Sequence, residues 1–193
     1  MKQQLYYTIE VRDKNGKLLK RMRRKSRSLV RQWIDFHYWL AGIVDRTATD
    51  TGGISRTLDR DLGFSICFRL AGGEAQSVLG IVIGTGTTAV TISDYALATQ
   101  IAHGVGAGQM YHYADVLGAP SVSGSECSFT ITRVIGNQSG ALITVKEIGV
   151  YTSAQDTSPA ARYFCVIRDV LAASVDVLDG GAITVVYTIK VVV

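Results

Sequence analysis

The sequence predicts a mainly β protein: an antiparallel β sandwich, jelly-roll-like, with an N-terminal β-hairpin and one amphipathic helix. Two observations predict this class. Many short runs rich in β-branched and aromatic residues follow one another with turn signals between them, and only one segment has a convincing helical pattern. A barrel is the alternative architecture. No segment recurs at a fixed period, which argues against a propeller or a solenoid.

The size and composition indicate one folded unit with a small appendage. The 193 residues suit an N-terminal hairpin and helix at 1–44 followed by a β-sandwich domain at 45–193. Hydrophobic residues make up 47% of the chain and charged residues 19%, so part of the apolar excess is expected to lie between subunits. No apolar stretch could cross a bilayer and the N-terminus does not resemble a signal peptide, so we expect folding in a cytoplasm and no membrane partner.

The N-terminal segment is predicted to be a hairpin that carries a basic run. Leu5–Val11 and Lys17–Met22 have strand patterns, and Asn15-Gly16 between them is typical of a tight turn. Ten of the chain's twenty Lys and Arg residues lie between Arg12 and Arg31, against a single acid. The net charge of +4 is therefore a local feature, and the rest of the chain is close to neutral or slightly acidic.

A helix is predicted from a cap at Ser26 or Ser28 to about Ala41, with Gly42 as its C-terminal stop. Its apolar face, at three- and four-residue spacing, consists of Leu29, Val30, Trp33, Ile34, His37, Leu40 and Ala41. Further aromatic residues broaden this face beyond one stripe. The helix can pack on the β domain, its surplus aromatics can bury against a neighbouring subunit, and one helix can do both.

These two features together predict an assembly interface. It consists of Arg21, Arg23, Arg24, Arg27, Arg31, Trp33, Phe36, Tyr38 and Trp39. The aromatics would form an apolar patch of the kind that marks interaction sites, and the basic residues would supply a polar rim. The β-branched segment 182–193 is a second route to assembly if it lies at a sheet edge. Deleting residues 1–44 is expected to leave a folded β domain that no longer assembles.

The remaining chain is predicted to alternate loops and strands. Residues 46–62 are polar without a clear period, so we expect a long loop and a candidate contact surface. Apolar or alternating runs predict strands at 64–70, 79–83, 110–116, 127–135, 142–151, 163–171 and 182–193.

A glycine-rich stretch resembles a nucleotide-binding turn. Gly84, Gly86 and Ala89 fit G-x-G-x-x-A after a predicted strand, where a dinucleotide-binding fold would begin a helix. The β-branched residues of 87–92 favour an extended segment instead, so we expect a turn or bulge and no nucleotide cofactor. The glycines at 104, 106 and 108 are expected to form a plain connection.

No catalytic or metal site is predicted, and the chain is expected to be non-enzymatic. Cys67, Cys127 and Cys165 are expected to be buried free thiols, and the three histidines have no metal-ligand spacing. Glu147 lies among apolar residues of a strand and would need a partner such as Arg168 if it faces the interior.

The segment V-I-G-T-G-T-T-A-V-T-I-S-D-Y-A-L resembles part of small virion structural proteins of tailed bacteriophages. In those proteins a similar passage precedes a strand like Lys146–Tyr151, then a segment like Arg168-Asp169-Val170, and finally a strand that opens on a glycine pair, as Gly180-Gly181 does here. The resemblance covers about residues 79–193 and contains no catalytic residue. It implies a structural role in the tail, the neck or collar, or capsid decoration, with copies of itself and other virion proteins as partners.

Two other functions fit the sequence. The basic segment from Lys14 to Arg31 could bind DNA or another nucleic acid by charge alone. A β sandwich could also bind a carbohydrate or a receptor through Tyr111, Tyr113 and polar loop groups.

Overall fold

A computed structural model describes residues 2–41, 46–58, 68–158 and 160–193. The strands in these ranges are β1 (Lys2–Arg12), β2 (Leu18–Ser26), β3 (Arg46–Thr49), β4 (Ser55–Leu58), β5 (Gly80–Gly84), β6 (Tyr111–His112), β7 (Val116–Ser123), β8 (Glu126–Gly136), β9 (Ile143–Gln155), β10 (Ala161–Val177) and β11 (Ala182–Val192). The helix of the described ranges, α1, spans Arg31–Leu40.

The strands form two main sheets, and within each sheet every pair of neighbouring strands is antiparallel. Sheet A has the order β2-β1-β11-β8-β6, with β7 also paired to β8, and sheet B has the order β10-β9-β5. Strands β3 and β4 form a separate hairpin. Buried side chains from sheet A, sheet B and α1 share one hydrophobic core. The mainly β, antiparallel class is thus confirmed, whereas the jelly-roll connectivity stays a prediction.

Strand alternation builds sheet A. In β1 the buried residues Leu5, Tyr7, Ile9 and Val11 alternate with more exposed ones, so one face of the strand lies on the core. The predicted N-terminal hairpin is confirmed, with Gly16 in its turn at φ +79°. That conformation suits glycine, which has no Cβ to clash.

Sheet B is buried on both faces. One face lies on the main core, and the other carries Val82, Tyr151 and Cys165, which pack against Leu97 from the loop that follows β5. This double burial explains why residues 148–154 of β9 are all buried instead of alternating.

The C-terminal strand lies in the middle of sheet A. β11 pairs with β1 along its whole length, from Lys2↔Val192 to Arg12↔Ala182, and with β8 on its other side. The expected second route to assembly through an exposed C-terminal edge is therefore wrong. The N-terminal strand also shares the main core, so the expected division at residue 44 does not coincide with a break in that core.

Two loop expectations need correction. Residues 46–58 are not a loop, because β3 and β4 pair through a turn in which Gly53 has φ +82°. Residues 59–62 of that expected loop and 64–67 of the next expected strand lie outside the described residues. The segment 87–92 forms neither a strand nor a helix.

Neighbouring chain segments form backbone hydrogen bonds with both edges of sheet B, whereas two strands of sheet A have one side without a strand partner in the described ranges. On one side of sheet B, Val30 N donates to Val166 O at 3.2 Å and Arg168 N to Ser28 O at 3.1 Å. On its other side, Ile101 N donates to Ile83 O at 2.9 Å. In sheet A, β2 and β7 each have a strand partner on one side only, as far as the described ranges extend.

Candidate assembly surface

The basic run lies on an edge strand. Arg21, Arg23 and Arg24 are exposed on β2, and Arg27 is exposed just beyond it. Because β2 is the last strand of sheet A, its outer backbone groups face away from the sheet. The cations of β2 together with Arg27 thus line one exposed strand edge, called the rim here, with Arg21 and Arg23 on one face and Arg24 on the other. Arg31 lies apart from the rim, in α1, and pairs with Asp35.

Few acids neutralise this rim. Glu10 on β1 is shared, with Arg21 Nε at 3.3 Å and Arg12 Nη2 at 3.1 Å. The Arg23 guanidinium lies 5.0 Å from the centre of the Tyr6 ring, a cation–π distance. Among the described residues, Arg24 and Arg27 have neither a salt bridge nor a side-chain hydrogen bond.

A buried polar cluster fixes the end of β2 to the core. Ser26 Oγ lies 2.8 Å and 2.9 Å from the two carboxylate oxygens of Asp169 on β10, and Tyr187 OH on β11 donates to the same carboxylate at 2.9 Å. Burial raises the pKa of Asp169. The strand that carries the rim is therefore held at its end by hydrogen bonds that involve both sheets. Ser26 is consequently a strand residue, and neither Ser26 nor Ser28 is the helix cap that the sequence predicts, because α1 is preceded by Val30, which makes no side-chain cap. The predicted C-terminal stop, Gly42, lies outside the described residues.

Three of the four aromatic residues assigned to the interface are in the protein's own core. Trp33, Phe36 and Trp39 are at most 4% exposed. The Phe36 ring lies 5.2 Å from Phe164 of β10 and 5.5 Å from Phe68, centre to centre. Their assignment to an intersubunit contact is wrong, because β10 and the segment at 68 cover this side of the helix. Tyr38, which is 41% exposed, is the one of the four that stays available to a partner.

The exposed side of α1 carries apolar residues that the sequence placed inward. Ile34 is 65% exposed and Leu40 is 49% exposed. In their place Gln32 and Asp35 are buried, since Gln32 Nε2 donates to Thr49 O and Arg46 pairs with Asp35. Periodicity could not find this, because the face that packs on the protein includes two polar residues.

The pair of Glu147 and Arg168 is confirmed. Arg168 Nε donates to Glu147 Oε2 at 3.0 Å. The Glu147 carboxylate also accepts N–H bonds from Gly86 at 3.1 Å, Ala98 at 3.1 Å and Thr99 at 2.7 Å. The Gly84–Gly86 turn therefore encloses an anion of the protein itself at the place where a phosphate would be expected. Sequence spacing suggested the pair but not the three backbone donors.

A second buried charge was missed by the sequence analysis. Arg133 on β8 is fully buried, and its guanidinium lies 3.4 Å from Asp115. It donates to five backbone carbonyls, those of Gly73, Gln76, Leu79, Ile81 and Tyr113. Burial raises the pKa of Asp115 to about 6 even though Arg133 opposes the shift. The network ties the segment before β5 to β8, and its only signal was a basic residue in an apolar alternation.

The other candidate residues are distributed as follows. The rings of Tyr111 and Tyr113 come together at 4.9 Å, and Tyr111 OH donates to Glu74 at 2.7 Å. Cys165 is a buried free thiol as predicted, Cys127 is exposed because it lies near the end of β8, and Cys67 lies outside the described residues.

The described ranges contain no cluster of three or more His, Cys, Asp or Glu residues arranged to hold a metal ion. Nor does any helix in the described part of the chain have the length and apolarity to span a membrane.

Comparison with known proteins identifies no relative. No protein-family model matches the chain, and no curated protein or solved structure is significantly similar to it.

Proposed function

We propose that this chain is a non-enzymatic structural subunit of a tailed-phage virion, where it assembles with copies of itself and with neighbouring virion proteins. The observation that carries the proposal is the exposed basic rim on the edge strand β2, anchored to the core at Ser26. The phage assignment comes from the resemblance of residues 82–97 and of the segments after them. The tail, the neck or collar, and the capsid surface all accommodate such a subunit.

The distribution of charge favours contact between copies. Ten basic residues and one acid lie in 12–31, which leaves ten basic and fifteen acidic residues in the rest of the chain. The basic rim of one copy is therefore attracted to the remainder of another, and opposite potentials of this kind guide association and orientation.

The edge strand favours a contact that is not symmetric. Within the described ranges the outer edge of β2 has no strand partner, and such an edge can extend a sheet into a neighbouring molecule. Two β2 strands would bring arginines against arginines, so pairing of β2 with itself is disfavoured. A contact between β2 and a different surface of the next copy is head-to-tail, and such contacts generate rings or filaments.

The test replaces Arg21, Arg23 and Arg24 together with serine and measures assembly by light scattering over a range of salt concentrations. We expect weaker assembly than for the natural chain, with the difference largest at low salt, where screening is least. A triple Arg→Lys variant keeps the charge and should assemble. Lys146→Ser, a change of one charge outside the rim, is the second control.

Two results would contradict the proposal. One is a full-length protein that stays monomeric at high concentration and does not join its particle through this rim. The other is a monomer that is retained on DNA in a strongly salt-dependent way, which would favour nucleic-acid binding by the same residues.

A further inference from the structure

Sheet A has a second edge, β7, that differs in character from the β2 edge. Within the described ranges β7 pairs with β8 on one side and has no strand partner on the other. Seven of its eight residues are exposed, among them Val116 and Val122, which are 64% and 76% exposed. Exposed apolar side chains on an unpaired strand are typical of a surface that contacts another chain.

The charge of the β7 edge complements that of β2. The nine residues of β2 include five basic residues and no acid. The hairpin of β7 and the first part of β8, residues 116–132, has one charged residue in its sequence, Glu126. The Glu126 side chain pairs with Lys190 and is still 47% exposed. The hairpin therefore does not repel the rim, and its one acid attracts it.

The strand order restricts how these two edges meet. Across sheet A, β2 is followed by β1, β11, β8 and β7, and each of these four neighbouring pairs is antiparallel. After four reversals, β2 and β7 run in the same direction. A second copy that continues the sheet with its core on the same side must therefore place its β2 parallel to β7.

A parallel arrangement also matches the residues along the two strands. Each strand begins with two exposed apolar residues, Leu18-Leu19 in β2 and Val116-Leu117 in β7. The basic residues of β2 follow, while the end of β7 lies beside Glu126, which is paired with Ser123. Parallel strands thus bring the apolar ends together and the basic end of β2 close to Glu126. Antiparallel strands would separate both pairs of ends.

We propose that β2 of one copy pairs in parallel with β7 of the next, so that sheet A continues from copy to copy. This pairing rests on the proposed assembly function and names the surface that receives the rim. Pro120, which has no N–H, lies where the register of β7 against β8 shifts, between Gly118 and Ser121. Backbone pairing with β2 is therefore expected on either side of Pro120.

The first experiment mixes two full-length variants that each lose a different edge. Leu117→Lys/Val122→Lys places cations at exposed positions of β7, opposite the rim. The rim variant carries serine in place of Arg21, Arg23 and Arg24. Neither variant should assemble alone in light scattering at low salt. Together they retain one intact β2 and one intact β7, so their equimolar mixture should form a 1:1 heterodimer that grows no further.

A matched substitution tests whether β7 meets the arginines. Leu117→Glu/Val122→Glu changes the same two positions in the opposite sense. At low salt this variant should assemble at least as well as the natural chain, because its acids face the rim, and added salt should reduce the difference from the lysine variant. Leu142→Lys/Leu178→Lys adds the same charge at two exposed leucines outside the strands and should assemble like the natural chain.

Three results would overturn the pairing of β2 with β7. One is normal assembly of Leu117→Lys/Val122→Lys, and the second is a mixture that forms no heterodimer. The third is equal loss of assembly in the lysine and glutamate variants, which would indicate that β7 pairs with itself. If the rim variant assembles poorly in any of these cases, the proposed assembly function stands and only its β7 surface is refuted. A natural chain that stays monomeric would refute both.

Discussion

Arg168 and Glu147 meet inside the protein, with Arg168 Nε 3.0 Å from Glu147 Oε2 and neither side chain more than 2% exposed. They come from neighbouring strands of sheet B and hold the loop between β5 and residue 99. Glu147 binds three backbone N–H groups of that loop, and Arg168 Nη2 donates to Thr88 O at 2.9 Å. The pair therefore fixes this loop against the outer face of sheet B.

Arg168→Met is expected to lower the free energy of unfolding by about 3–5 kcal/mol, because it leaves a buried carboxylate without its cation. Denaturant unfolding gives the energy, and hydrogen exchange at Gly86 and Thr99 should become faster. Arg162→Met on the same strand is the control. The Arg162 side chain, which pairs with Asp156, is 30% exposed, so its loss should lower the free energy of unfolding by less than about 1 kcal/mol. Equal costs for the two variants would show that burial of the Arg168 pair has no special energetic weight.

Gly86→Ala is expected to destabilise the protein by more than about 2 kcal/mol. A Cβ at this position would overlap Glu147 Oε1 and lie 2.7 Å from Ala98 Cβ, whereas at Gly73 the nearest atom is 3.5 Å away. Gly73→Ala should therefore be nearly neutral in the same thermal or denaturant measurement.

The same geometry predicts that the natural chain does not bind NAD or ATP at the Gly84–Gly86 turn. The carboxylate of Glu147 occupies the backbone donor of Gly86 and would repel a phosphate. Saturable nucleotide binding in calorimetry would contradict this expectation.

Stability should fall as the pH is lowered from about 6.5 to about 4, because of His112. The His112 ring is fully buried, and this burial together with the charge of Arg133 lowers the pKa of His112 to about 4 from an ordinary value of 6.5. In that window the unfolded chain takes up a proton that the folded chain refuses, so unfolding is favoured by up to about 3 kcal/mol.

His112→Gln removes this term and should show a weaker loss of stability between neutral pH and about pH 4.5. Asp115 acts in the opposite sense: its pKa is raised to about 6, so its contribution to stability grows as the pH falls through 6 towards 3.8. Comparing the natural chain with the variant isolates the histidine, since Asp115 is common to both. Parallel pH profiles of the denaturant midpoint would refute the assignment to His112.

Ile9→Ala should cost about 2–5 kcal/mol, as expected for a large core side chain, because Ile9 on β1 is fully buried. Thr8→Ala, one residue away on the opposite face of the same strand, should cost less than about 1 kcal/mol.

Because β1 contributes buried side chains to the main core, deletion of residues 1–44 should abolish cooperative unfolding. A truncated protein that unfolds cooperatively would instead support a separable N-terminal unit.

The strands that the sequence predicted well are those with one buried face. β1, β8 and β11 alternate because one side of sheet A lies on the core, and period two is visible without knowledge of any partner. The hairpin β3–β4 was missed because only Ala48 and Leu58 of its strands are buried, which leaves no pattern to detect.

The helix face and the buried charges depend on contacts distant in sequence. Asp35 is an inward residue only because Arg46 reaches it, and Arg133 is tolerated only because carbonyls from the segment before β5 converge on its guanidinium. The sequence could suggest a partner for Glu147, since both members of that pair lie in recognisable strands. It could not indicate that β10 covers the aromatics of α1, because that depends on how sheet B packs against the helix.

The place of β11 between β1 and β8 governs the order of events during synthesis. β1 and β2 can form their hairpin as soon as residues 2–26 have left the ribosome, and sheet B contains no strand beyond residue 177. Sheet A, however, cannot be completed until residues 182–192 are available to pair with both β1 and β8. Until then β1 and β8 each have an open edge, and open edges of this kind pair with wrong partners. Misassembly is therefore most favoured while the chain is in this nascent state. Its extent should depend on how long that state lasts and not on the stability of the finished protein.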